Sequence, residues 1–184
     1  DKIMIQYTIS SSDLNGHVFS VTCFIPSPKK QGQRLIMPTW IPGSYMIRDF
    51  SKNVVQIAAR NADTSDAIDI FKIDKSTWEL GACDSGVLVS YEIYAWDMSV
   101  RTAHLDQTHG YFNGTSVFFA VEGQEGDVCE LDIQKPQKAC AENWRVATTL
   151  KELTAKRYGF GRYQAENYDD LIDHPVEMAD FSLV

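Results

Sequence analysis

No run of about 18 consecutive apolar residues occurs in this 184-residue chain, which excludes a membrane-spanning helix. Positive charge is also scarce. Seventeen Lys and Arg stand against 25 Asp and Glu, a formal net charge of −8, and no basic run is longer than two residues, as at Lys29-Lys30. Nucleic-acid backbones are bound by clustered cations, so no nucleic-acid partner is expected. The first residues, Asp1-Lys2-Ile3-Met4-Ile5-Gln6-Tyr7, alternate apolar and polar side chains and lack the apolar core of a signal peptide. The expected setting is cytoplasmic, or periplasmic if a leader preceded Asp1.

Cysteine is sparse and unpatterned. Cys23, Cys83, Cys129 and Cys140 include no pair two or three positions apart, so neither a zinc ribbon nor a C-x-x-C redox motif is present. They read as free thiols of a reducing compartment, with Cys23 in the core. Of the four histidines, His17 and His174 stand alone. His104 and His109 are five apart, which puts them on opposite faces of a strand and off a shared face on a helix. No metal site and no cofactor is therefore expected within the chain. Gly43-Ser44-Tyr45 lacks the second glycine of a nucleophile elbow. Gly123-Gln124-Glu125-Gly126 reads as a hairpin turn whose acid would repel phosphate. No catalytic residue emerges.

What the sequence does have is strand signal. Residues 2–10 alternate Ile3, Ile5, Tyr7 and Ile9 on one face, and residues 18–25 alternate as cleanly. The Leu14-Asn15-Gly16 turn between them predicts an antiparallel hairpin, closed off by Pro26-Ser27-Pro28. Further strands are predicted over 34–37, 54–60, 68–73, 76–79, 86–96, 111–121, 129–133 and 144–148. Helical patterning comes late: two turns over 149–157, a capped helix starting at Asn167 and stopping before Pro175, and a possible further helix opening at Pro175. The apolar fraction of 44% and charged fraction of 23% suit an ordinary globular core. The expectation is an all-β fold, an antiparallel β-sandwich or large twisted sheet, with a short, partly helical C-terminal tail. Residues 1–158 would form the β-domain, and residues 159–184 a crossover leading onward.

Two segments carry features that suit recognition. In Tyr111-Phe112-Asn113-Gly114-Thr115-Ser116, Asn113 offers both a donor and an acceptor, and Gly114 admits close backbone approach. The alternative is a plain turn or bulge at a sheet edge. Arg48-Asp49 adjoins an aromatic turn, where Arg48 would pin the loop after Trp40, meet a substrate carboxylate or meet a partner domain. Arg101 fits the same roles.

The stretch Trp40-Ile41-Pro42-Gly43-Ser44-Tyr45-Met46-Ile47-Arg48-Asp49-Phe50 resembles the W-x-P-G-S-Y-x-x-R-D/E-F/Y signature of the glycyl aminopeptidase family of zinc peptidases. The run from Tyr94-Ala95-Trp96-Asp97 through Arg101-Thr102-Ala103 to Gly110-Tyr111-Phe112-Asn113-Gly114-Thr115-Ser116 is similar to that family's second N-domain signature. Asp74-Lys75-Ser76-Thr77-Trp78 and Tyr168-Asp169-Asp170-Leu171-Ile172-Asp173-His174-Pro175 match as well. The resemblance spans nearly the whole chain in order.

It implies an N-terminal β-domain that packs on a thermolysin-like catalytic domain of the same polypeptide, followed by a PDZ domain. The family removes N-terminal glycine or alanine from peptides. Its H-E-x-x-H zinc helix falls beyond the position matching Val184, so zinc belongs to the parent enzyme and its ligands map to no residue here. Tyr111, Phe112, Asn113, Gly114 and Thr115 would face the peptide substrate. Trp40, Pro42, Gly43, Tyr45, Arg48, Asp49 and Arg101 would hold structural or interdomain positions. Two other readings stay open: a stand-alone sandwich module binding peptide or carbohydrate through its aromatic residues, and an assembly scaffold meeting a separate subunit around residues 181–184.

Overall fold

The structure, a computed structural model, describes residues 4–39, 49–96 and 103–183. Among them, in chain order, run β1 (Met4–Asp13), β2 (Val18–Ile25), β3 (Arg34–Ile36), β4 (Val54–Asn61), β5 (Ala67–Ile68), β6 (Ile70–Lys72), β7 (Thr77–Leu80) and β8 (Val87–Tyr94). There follow β9 (Ala103–Leu105), β10 (His109–Phe112), α1 (Gly114–Val117), β11 (Ala120–Val121), β12 (Val128–Gln134) and β13 (Arg145–Thr148). The last are β14 (Lys151–Glu152), β15 (Gly161–Ala165), α2 (Tyr168–Ile172) and β16 (Val176–Ala179).

An eight-stranded sheet in the order β14-β15-β12-β1-β2-β8-β4-β5 is accompanied by two four-stranded sheets, β13-β16-β10-β9 and β11-β3-β7-β6. The fold is all-β and sandwich-like, as the alternation predicted. On β2 every second side chain is buried, and Phe19, Val21, Cys23 and Ile25 are each 0–1% exposed. β8 buries Val87, Val89, Tyr91 and Ile93 in the same rhythm. Burying one such side chain stabilises by roughly 1.5–3 kcal/mol, and a one-residue slip would turn all of them outward, so burial itself holds the register. The predicted β1–β2 hairpin pairs Gln6 with Phe24 through Asp13 with Val18.

The inner face of the large sheet is covered by the other two. Phe112 of β10 meets Phe19 edge-on with ring centroids 5.7 Å apart. Trp78 of β7 meets Phe119 at 5.1 Å, and Tyr91 meets the same ring at 4.7 Å. These rings interlock the sheets beyond the area they bury.

Five expectations need correcting. The large sheet is not wholly antiparallel, because β1 pairs with β12 in parallel, Met4 opposite Val128 through Ser10 opposite Gln134. A parallel pair needs a long crossover, and most of the chain lies between these two strands. The predicted strand over 111–121 is broken by α1, whose start is fixed by an Asn113 cap. Residues 149–157 form β14 and bends instead of helix. There the N–H groups of Leu153, Thr154 and Ala155 all turn to the carbonyl of Arg162, so pairing with β15 overrides helix propensity. Pro175 precedes strand β16, whose Val176 stands between Phe112 and Thr148. The turn at Gly123 (φ +84°) joins β11 to β12 in different sheets, so it closes no hairpin.

Beyond residue 158 the chain stays inside these sheets. β15 pairs with β12 from Cys129–Ala165 to Ile133–Gly161, and β16 lies between β13 and β10. α2 begins where the sequence placed it, with Asn167 Oδ1 accepting from the N–H of Asp170 at 2.8 Å.

Candidate functional site

The segment 111–119 is built from the sheet outward. β10 ends at Phe112, which is buried. Asn113 then leaves helical space (φ −95°, ψ 134°), and its Oδ1 accepts from the N–H of Thr115 at 3.0 Å, capping α1. The Ser116 hydroxyl donates back to the Asn113 carbonyl at 2.7 Å. After α1 the chain straightens, and three successive carbonyls lie in the core without strand partners. Three tyrosines satisfy them. Tyr91 donates to Val117 at 2.5 Å, Tyr168 to Phe118 at 2.7 Å and Tyr7 to Phe119 at 2.6 Å. A buried carbonyl left unpaired would cost about 1–3 kcal/mol, so the three bonds hold this segment against β1, β8 and α2 together. Burial pushes all three phenols well above their ordinary pKa, so each remains a donor.

Of the residues expected to face a ligand, Tyr111 is half-buried on β10, opposite Glu177 of β16. Burial first, and then the Glu177 carboxylate, raise its pKa. Asn113, Gly114 and Thr115 are buried in this chain, and the Thr115 hydroxyl is a buried polar group without a hydrogen-bond partner. Gly114 lies against α2: a Cβ there would stand 3.1 Å from the Ile172 Cα. Ile172 also lines an open cleft of about 770 Å³ with Pro38, Tyr168 and four acids, Glu166, Asp169, Asp170 and Asp173.

Trp40, Pro42, Gly43, Tyr45, Arg48 and Arg101 lie outside the described residues. Asp49 is exposed ahead of the 3-10 turn Phe50–Asn53. The Ser51 hydroxyl donates to its Oδ1 at 2.5 Å. That bond leads the causes that lower its pKa, joined by the Lys52 N–H and the charges of Lys75 and Lys52. Trp78 is 5% exposed, but Trp96, two residues beyond β8, is 52% exposed.

Trp96 belongs to a cluster that one-dimensional spacing hid. His104 and His109 lie on neither one strand nor one helix. A turn over residues 106–108 folds β10 back on β9, pairing Leu105 with Gly110 and His104 with Tyr111. His104 and Asp106 are two apart and share a face, while the Asp106 N–H donates to the carbonyl of His109 across the turn. The two imidazoles therefore stack, with centroids 4.7 Å apart and planes at 22°. The Trp96 ring packs tilted against His104 with centroids 5.0 Å apart, and His17 against Trp96 at 4.0 Å. The readable signal was His-x-Asp-x-x-His with an Asp-initiated turn: Asp106 Oδ1 accepts from the Thr108 N–H at 2.7 Å and the His109 N–H at 3.0 Å. Burial works to raise the Asp106 pKa, but the bonds from the Thr108 hydroxyl, His104 and these N–H groups outweigh it and hold the carboxyl well below its ordinary value.

The N-terminal β-domain of a peptidase is the class that this fold and sequence define. The sequence matches the Peptidase M61 N-terminal domain family over residues 6–180, and the chain belongs to that family. It is 41% identical to an aminopeptidase N family protein from Idiomarina loihiensis, with a TM-score of 0.93 over 98% of this chain. It shares the fold of an M1 zinc metallopeptidase from Deinococcus radiodurans, with 9% identity and a TM-score of 0.50 over 97% of the chain. The chain spans 30% of the first protein's length and 42% of the second's. No protein of curated function matches it by sequence. No helix among the described residues is long and apolar enough to cross a membrane.

Proposed function

We propose that this chain serves as the non-catalytic N-terminal domain of a zinc aminopeptidase that removes N-terminal glycine or alanine from peptides. It walls one side of the cleft and positions the substrate's amino end. Zinc, the general-base glutamate and the PDZ domain belong to other parts of the polypeptide. The observation that carries this reading is the M61 N-terminal domain match over residues 6–180, together with 41% identity to an aminopeptidase-family protein.

The build of the site supports the role assigned to residues 111–115. Residues 117–119, just after this segment, are tied to three elements by three tyrosine bonds, and firm placement can contribute much of a rate enhancement without covalent participation. The acidic cleft beside α2 would attract a peptide's terminal ammonium. Four free thiols suit a reducing, cytoplasmic setting. Trp40, Arg48, Asp49 and Arg101 are assigned structural or interdomain roles.

The test uses the polypeptide that carries the catalytic domain. Asn113→Ala lowers kcat/KM with zinc content unchanged. Asn113→Ser, which keeps a capping acceptor for the Thr115 N–H, lowers it as well if the Asn113 amide meets substrate. Kinetics unchanged in both variants, or full activity in Asn113→Ser, would remove the substrate role.

A further inference from the structure

We propose that His104, Asp106 and His109 form a binding site for one divalent transition-metal ion, zinc(II) foremost, separate from any catalytic metal of a parent enzyme. Each residue offers one ligand atom, and the three atoms lie within 4.8 Å of one another. A tetrahedral ion with bonds of about 2.0–2.2 Å separates its ligands by a little over 3 Å, so closing on an ion takes shifts of about 1 Å. The parts are placed to allow it. His104 is held by the core at 2% exposure, while the Asp106 and His109 side chains are 25% and 30% exposed and can adjust.

The donor atoms are also turned toward one another. The His104 Nε2 lies 2.8 Å from Asp106 Oδ2, and its buried Nδ1 has no hydrogen-bond partner. Nε2 is therefore the ring nitrogen that faces the carboxylate. An ion held between them would meet an imidazole nitrogen on one side and a carboxylate oxygen on the other. Asp106 Oδ1 is engaged by the Thr108 N–H and hydroxyl, which orients the carboxylate, with Oδ2 on His104 Nε2 and Oδ1 3.5 Å from His109 Nδ1. Two imidazoles and one carboxylate suit Zn²⁺, Cu²⁺ or Ni²⁺, and the exposed edge of His109 leaves an entry path and a position for water. A bound ion would clip the β9–β10 hairpin, and β10 runs directly into Asn113.

Zinc chloride is titrated into the 184-residue chain carrying Cys140→Ser, which removes the one exposed thiol. Equilibrium dialysis with metal analysis is expected to show one equivalent bound with micromolar or tighter affinity. Asp106→Asn and His109→Ala weaken it by at least about 10-fold, and His174→Ala, which breaks the separate His174–Asp170 pair, leaves it unchanged. In the unsubstituted chain, the ring C–H resonances of His104 and His109 shift on zinc addition while those of His174 do not. No saturable uptake, uptake that survives both substitutions, uptake lost with His174→Ala, or unmoved His104 and His109 resonances would each overturn the site.

Discussion

The hydroxyl of Tyr91 donates to the carbonyl oxygen of Val117 at 2.5 Å, tying the middle of the large sheet to the segment that follows α1. Both groups are buried, so neither has water to fall back on. Tyr91→Phe leaves the ring packed against Phe119 but orphans the carbonyl. The expected loss is about 1–3 kcal/mol of unfolding free energy, read by urea denaturation. An unchanged midpoint would show that this carbonyl finds another partner. Because Tyr7 and Tyr168 hold the neighbouring carbonyls, a second Tyr→Phe change is expected to combine non-additively with the first.

Two glycines separate backbone contact from side-chain contact. At Gly114 a methyl group would stand 3.1 Å from the Ile172 Cα, a backbone atom that moves only with α2. At Gly110 it would meet the Met178 Cε at 2.8 Å, the far end of a flexible side chain. Gly114→Ala therefore costs about 1–3 kcal/mol by overpacking, and Gly110→Ala costs less. Thermal unfolding of the two variants checks the order, and the reverse order would contradict the rigid α1–α2 contact.

Stability is expected to fall at alkaline pH. Burial pushes the Cys129 thiol up to about 12 from an ordinary 9.0, and Tyr7, Tyr91 and Tyr168 well above 10.0. Above about pH 9 the unfolded chain sheds protons that the folded chain retains, so the stability these groups contribute is whole below pH 9 and declines toward pH 12. The urea midpoint should fall from about pH 8 to about pH 10.5. A flat or rising midpoint would mean these groups are less buried than the fold requires.

Thiol reactivity should single out one cysteine. Cys23, Cys83 and Cys129 are buried and Cys140 is exposed, all four as free thiols. A thiolate is the reactive form, and burial denies it to Cys23 and Cys129. One equivalent of a disulfide reagent reacts rapidly in the native chain at neutral pH and four react after denaturation. Rapid native reaction of two or more thiols would contradict the packing of β2 and β12.

Much of the fold was legible because it is local. Alternation in β1, β2 and β8 needs only a period of two, and the Asn15-Gly16 turn and the Asn167 cap act within a few residues. What misled was local preference that a distant partner overrode. The apolar run 111–121 reads as a strand until Asn113 caps a helix inside it, and residues 149–157 read as a helix until the carbonyl of Arg162 gathers their N–H groups. The segment 111–115 drew attention by its residue types and by resemblance. Its burial beneath α2 had no local sign.

By itself, then, the sequence determined the all-β class, the hairpin register and the membership of a peptidase family carried by ordered motifs. Each of these rests on periodicity, turn chemistry or residue identity along a short stretch. Only the tertiary structure decided that β1 pairs in parallel with β12, that Tyr7 reaches Phe119 across 112 residues, and that His104 stacks on His109 with Asp106 beside them. Those contacts join segments whose proximity depends on how the whole chain closes, and no spacing within one segment encodes that closure.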